Sequence, residues 1–231
     1  LRSAPSFGRL CSIQKSTSDK GQIIMTIPYS FRYLAGHALR APKLNWRHHG
    51  IGVLQAYLHE GDTEARIHVW HPSLVLPGFD ETNGLVHDHR FSFDSYVLLG
   101  AICNERFTLE PDPAGEWVKY GVTNARKAMA EYGSFHEPLG LLSDSRYSAQ
   151  RQSIWYQAGE EYTMNAREFH SSRVTELTVT LVVKMGLVDG PSVIVGKRDV
   201  ELIHAFDHPD TDYLHILNEA SRRLLGEHAN P

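Results

Sequence analysis

The chain has 231 residues, 42% hydrophobic and 22% charged, with 23 Lys and Arg against 27 Asp and Glu for a formal charge of -4. That length can bury a substantial core, the charge balance provides no basic field for nucleic acid, and no apolar run reaches the roughly 20 residues of a membrane-spanning helix. Two cysteines, Cys11 and Cys103, are too few for a disulfide framework and point to free thiols in a reducing, cytoplasmic setting, while 14 histidines exceed what core packing needs.

Leu1 to Gly21 are rich in Ser, Thr, Gly and Pro and read as an irregular lead-in without a secretory pattern. The start at Leu1 rather than methionine suggests that an upstream part is absent from this sequence. Ile23 to Ile27 fits a short strand or helical turn, and Pro28 can open a helix through Phe31 to His37. Arg47 to His59 places Ile51, Leu54 and Leu58 at helical spacing, against which Gly50 and Gly52 count. Residues 1–60 are therefore expected to form a mixed or mostly helical extension packed on a β domain.

Ala65 to Trp70 alternates as a strand, with Arg66, His68 and Trp70 on one face and Ile67 and Val69 on the other. Either face can be internal. Burying Ile67 and Val69 leaves the other three on a wet or half-buried surface; the inverse puts Arg66 and His68 in a polar pocket, where Arg66 can pair bidentately with a substrate carboxylate. His71 to Gly84 reads as a loop around a short apolar segment, and Tyr96 to Leu109 as one long strand or two. Pro111 to Gly115 is a turn signal from which Trp117 to Val122 returns as a hairpin.

Residues 123–152 read as a rim or lid insertion, with Asn124 capping a short helix from Ala125 to Tyr132. Ser153 to Gln157 is a strand candidate. The clearest β signal is Arg173 to Lys184, with a phase change near Thr175, and Val193 to Val195 is a further short strand. Residues 210–227 are expected to form a helix capped by Asp210 or Thr211, with Leu214, Ile216, Leu217, Ala220, Leu224 and Leu225 on its apolar side. That side can cover the same chain's β domain or serve a homodimer contact.

Chemistry concentrates between Gly84 and Gly100. In an extended Val86 to Arg90, His87 and His89 share a face and Asp88 and Arg90 take the other. Asp94 follows a short turn later and can supply a carboxylate. Two imidazoles and a carboxylate make part of a first-row metal site, which still needs another ligand.

This block, with Gly84, His87, His89, Asp94 and Gly100, resembles the first motif of the cupin superfamily, and Gly159 to His170 resembles the second. Asp94 stands where Glu is usual, and Asn165 and Arg167 stand where Pro and Gly are usual. The resemblance implies an all-β cupin double-stranded β-helix, a jelly-roll barrel with a mixed or helical N-terminal region and a C-terminal helix, spanning 1–231 as one domain. It also implies His87, His89 and His170 as metal ligands, with open positions for water, dioxygen or substrate. Asp94 is then a fourth ligand, an acceptor from a ligand histidine, or a turn residue; if Phe93 faces inward instead, the site is three histidines alone.

That variant resembles the thiol dioxygenases, cupins that hold ferrous iron with three histidines behind a helical N-terminal region. The resemblance implies Fe(II), with Zn, Ni, Mn or Cu as alternatives, and a small-molecule thiol oxidised by dioxygen. It assigns Asp94, Tyr162 and Arg66 to catalysis. Arg66, or Arg47, would bind a substrate carboxylate, and Arg90, Tyr96, Trp155 and Arg173 would join Arg66 around the substrate. The bland alternatives are rim ion pairs for the arginines and core packing for the aromatics. A diketone or diol substrate, an isomerase, decarboxylase or lyase acting without dioxygen, and a non-enzymatic small-ligand binder are the competing functions.

Overall fold

A computed structural model of the chain describes residues 16–17, 23–24, 29–41, 44–49, 51–59, 64–77, 83–122, 140–198 and 213–227. Its strands are β1 (Ser16–Thr17), β2 (Ile23–Ile24), β3 (Arg47–His49), β4 (Ile51–His59), β5 (Ala65–Val75), β6 (Asn83–His87), β7 (Ser92–Leu99), β8 (Ala101–Pro111), β9 (Trp117–Val122) and β10 (Gly140–Leu141). They continue with β11 (Tyr147–Gln157), β12 (Glu161–Met164), β13 (Phe169–Arg173), β14 (Thr178–Met185) and β15 (Ser192–Lys197). Helix α1 (Tyr29–Ala38) precedes β3, and α2 (Leu214–Leu225) follows β15.

Strands β12-β7-β14-β5-β4-β3 form a six-stranded sheet. The second sheet runs β10-β9-β11-β8-β13-β6-β15, and a further pairing of β15 with β9 closes six of its strands into an antiparallel ring. A mostly β, two-sheet architecture with a closed ring and flanking helices is a cupin-like jelly-roll. Gly100 makes the corner between β7 and β8 at φ 73°, where a Cβ would lie 2.5 Å from the Leu177 carbonyl oxygen. The corner therefore needs a residue without a side chain.

Strand parity divides the six-stranded sheet. Leu54 and Ala56 of β4, Ile67 and Val69 of β5, and Val179 and Leu181 of β14 are buried together with Ile216, Leu217, Ala220 and Leu224 of α2 and Ala35 of α1. Each such Leu or Ile contributes about 1.5–3 kcal/mol by leaving water. The helices meet closely at Gly36, where a Cβ would lie 2.8 Å from Leu225 Cγ, and Ser221 Oγ donates to the Gly36 carbonyl at 2.7 Å. The opposite face carries Val53, Trp70, Phe93, Val97, Tyr162, Met164 and Val182, buried with Ile102 of β8.

Several expectations change. Arg47 to His59 is not helical but two antiparallel strands, with Gly52 at φ 96° in the register shift between β4 and β5. The helical spacing of Ile51, Leu54 and Leu58 misleads because β4 is buried on both faces, so apolar residues occur at both parities. β5 runs on to Val75 through residues expected to begin a loop. Trp117 to Val122 does not return along β8; it pairs with β15, while β11 and β13 flank β8. The turn itself forms, with the Gly115 amide donating to the Asp112 carbonyl at 2.9 Å.

Tyr147 to Gln152, expected within an insertion, belong to β11 and pair with β8, and the Arg173 to Lys184 run splits into β13 and β14 in different sheets. The segment expected to form a helix from Ala125 to Tyr132, both candidate caps of α2 and Cys11 lie outside the described residues. Tyr213 occupies the N-cap of α2 without a side-chain cap bond. Cys103 is a free, buried thiol. Among the described residues no helix is long and apolar enough to cross a membrane.

Candidate metal centre

The three histidines meet where β6, β13 and the segment after β6 converge. His87 ends β6 and lies directly across from His170 of β13, whose other neighbour is Arg106 of β8. His89 follows two residues on and turns to the same side. Ring centroids are 4.9 Å apart for His87–His89, 4.7 Å for His87–His170 and 5.0 Å for His89–His170. One ring nitrogen of each lies within 4.8 Å of the other two, a group able to hold a metal ion.

Hydrogen bonds select the nitrogens. His87 Nδ1 is 2.9 Å from the Leu85 carbonyl and His170 Nδ1 is 3.4 Å from the Glu168 carbonyl. A carbonyl can only accept, so Nδ1 donates in both and Nε2 keeps the lone pair a metal requires. Burial lowers the His170 pKa to about 3 and also lowers that of His87. His89 is pushed well below the ordinary value by burial first, then by charge on His87, His170, Arg66 and His68. Three neutral imidazoles facing one another suit a divalent first-row ion. With the cupin-like barrel, this donor set fits a metal-dependent cupin enzyme.

Polar contacts brace the loops that carry these ligands. Asp88, 3% exposed, accepts the Val193 amide at 2.6 Å on Oδ1 and Arg167 Nη1 at 3.1 Å on Oδ2. The Arg167 amide donates to the His89 carbonyl at 2.9 Å. Arg167 has φ 70°, the only positive value among the described residues other than glycine. The left-handed conformation costs such a residue about 1–2 kcal/mol.

The six-stranded sheet supplies the facing wall. Phe91 and Phe93 stand 5.0 and 5.4 Å from the His89 ring, and Phe93 stands 6.2 Å from His170. By register with Phe93 and Val182, the inward positions of β5 are Arg66, His68 and Trp70. Arg66 pairs with Glu64, lies over the Tyr57 ring at 4.6 Å and approaches the Phe91 ring at 5.4 Å. Lys184 Nζ is 3.0 Å from Glu64 and 4.0 Å from the Phe91 ring centre. Burial, then the charge of Arg66, lowers the Lys184 pKa. His68 has a buried Nε2 without a hydrogen-bond partner, and burial with Arg66 nearby lowers its pKa to about 3.

The residues expected around the metal divide sharply. Arg66 and Tyr162 face the histidine side; Tyr162 is buried 6.3 Å from Phe93 and 4.6 Å from Tyr156, and burial raises its hydroxyl pKa. Asp94 lies at the opposite parity from Phe93, accepts Thr163 Oγ1 at 2.7 Å and is outside the metal-holding group. Tyr96 shares that outer parity and packs with the aliphatic core. Arg90 bonds the Val188 carbonyl at 3.4 Å on the rim. Trp155, 41% exposed, lies beneath Arg173, which pairs with Glu105 on the side of β8 and β13 away from His170. Arg47 is on β3, two strands from Arg66. His68 was placed in a polar pocket by one of the two readings of β5 but given no role, whereas Lys184 was not expected at the site and needed the phase of β14 after its break from β13.

No family model and no curated protein matches the sequence. Among solved structures, a protein of unknown function from Vibrio parahaemolyticus aligns at 10% identity and TM-score 0.32 over 61% of this chain and 97% of its own. A cupin superfamily protein from Desulfitobacterium hafniense aligns at 11% and 0.29 over 59% and 78%. The hydroxypropylphosphonic acid epoxidase of S. wedmorenis aligns at 10% and 0.36 over 75% of this chain and 63% of its own. Likenesses this distant carry no weight for function, and the fold assignment rests on strand order.

Proposed function

We propose that this chain is a non-heme Fe(II) dioxygenase of cupin type that uses dioxygen to oxidise a small-molecule thiol or a related small substrate. The observation that carries this reading is a donor set of three neutral imidazoles, His87, His89 and His170, with no carboxylate joining the group among the described residues. Bound there, Fe(II) would supply the redox chemistry and the open positions for dioxygen and a thiolate. An anionic sulfur donor suits such a site because three neutral imidazoles leave the ion's charge in place.

The chain's own groups bind and shield. Arg66 offers a substrate carboxylate its remaining guanidinium donors while keeping Glu64. Lys184 adds positive charge on the same side, and the ring pairs Phe91–Phe93 and Tyr156–Tyr162 keep water from the reacting atoms. Tyr162, with its hydroxyl pKa raised, stays protonated and can donate a hydrogen bond to an anionic substrate.

Anaerobic purification with elemental analysis, followed by oxygen uptake and product mass across a panel of thiols with and without a carboxylate, tests the proposal. The expected result is iron at one atom per site, oxygen consumed with a thiol, and a product heavier by two oxygen atoms. Turnover without oxygen would instead assign an isomerase, decarboxylase or lyase, and binding without conversion would assign a ligand-binding protein.

A further inference from the structure

One side chain joins the loops that carry the three histidines. The Arg167 amide donates to the His89 carbonyl at 2.9 Å, and its guanidinium reaches Asp88, between His87 and His89, at 3.1 Å. The same guanidinium donates to the carbonyls of Asp189 and Pro191, just before β15, whose Val193 amide holds the other Asp88 oxygen at 2.6 Å. Three residues after Arg167 comes His170. Gly190 leaves room for this arrangement, since a Cβ there would lie 3.1 Å from Arg167 Nη2.

Arg167 holds this place at φ 70°, in a conformation glycine adopts freely. A side chain kept in such a conformation persists where its surroundings over-determine it, and such residues gather at functional sites. A plain loop staple would need only the Asp88 pair. Arg167 also fixes the His89 carbonyl by its amide, so backbone and side chain together tie the first two ligands to the third.

We propose that Arg167, acting through Asp88 and the His89 carbonyl, is a positioning residue that sets the placement of His89 relative to His170 and thereby the affinity and geometry of the metal site. This rests on the three histidines being the metal ligands. Arg167→Gly is the informative substitution, because it keeps the left-handed turn without strain and the amide that bonds the His89 carbonyl, while removing the side chain that carries the guanidinium. Arg167→Lys keeps the charge but not the planar fork that reaches several acceptors at once.

The experiment is a Co(II) titration of the full chain followed by its visible spectrum, alongside the urea midpoint of the metal-free protein. Arg167→Gly is expected to bind Co(II) about 10- to 100-fold more weakly, as for other partners that orient metal ligands. Its spectrum at saturating Co(II) should differ from wild type, and Arg167→Lys should not restore it. Wild-type affinity and spectrum in Arg167→Gly overturn the proposal, as does an affinity loss fully matched by lost stability of the metal-free chain. Should Arg167→Gly fail to fold, Asp88→Asn is read by the same two outcomes. A wild-type chain that takes up no Co(II) overturns the metal site itself, a failure distinct from a cobalt-binding wild type matched by its variant.

Discussion

The six-stranded sheet is almost wholly aliphatic on the face beneath α1 and α2, whereas the face toward the histidines sets aromatic and charged side chains among Val53, Val97, Met164 and Val182, and alternate residues of the same strands supply both. On β5, Ile67 and Val69 pack under the helices while Arg66, His68 and Trp70 face inward. On β7, Phe93 meets the histidines while Asp94 and Tyr96 face away. Adjacent positions thus belong to different physical problems. One face is governed by burial and lost volume, the other by charge, lone pairs and the cost of unpaired polar atoms.

Substitutions that separate the faces should give different readouts. The largest effect is expected for His87→Ala, which removes a ligand: divalent-metal affinity measured by calorimetry should fall more than about 100-fold, beyond the loss typical of an outer partner. Retained affinity would move the site elsewhere. Ile67→Ala, fully buried on the aliphatic face, should cost about 2–5 kcal/mol in urea unfolding yet leave metal per folded chain unchanged. Metal loss without stability loss in that variant would erase the distinction between the faces.

The pH response sharpens the comparison further. The folded pKa of His68 is about 3 against an ordinary 6.5, so the unfolded chain binds more protons between those values. Its stabilising contribution is present above pH 6.5 and is lost as pH falls toward 3. The urea midpoint of the metal-free protein should therefore drop across that window, and His68→Gln should lessen the drop. The smallest effect is expected at Trp155, exposed and resting on Arg173 outside the histidine face. Trp155→Ala should change stability by less than about 1 kcal/mol, the scale of an exposed cation–π contact, and leave turnover unaltered.

Local pattern made part of this visible in advance. His87 and His89 share a face because extended chain alternates, and the helix after Pro28 and the C-terminal helix were legible for similar reasons. His170 as their partner and the barrel itself came from the resemblance of two glycine-flanked blocks to the cupin motifs, not from local pattern. Parity alone could not say which face of β5 turns toward the histidines; that depends on α1 and α2 covering Ile67 and Val69, and the contacts with α2 join residues more than a hundred positions apart. The same limit affected β4, where burial on both faces imitates helical spacing. Pairing was harder still: Trp117 to Val122 follows a good turn yet joins β15, because β11 and β13 already occupy the edges of β8. Arg167 read as a departure from pattern, and its meaning depended on seeing Asp88, Asp189 and Pro191 around it.

The most direct test is the metal content of wild type, Asp94→Asn and His170→Ala, purified in parallel without oxygen. Three imidazoles without a carboxylate predict equal, one-per-chain metal in wild type and Asp94→Asn and none in His170→Ala. Metal lost from Asp94→Asn, or kept by His170→Ala, would contradict the account.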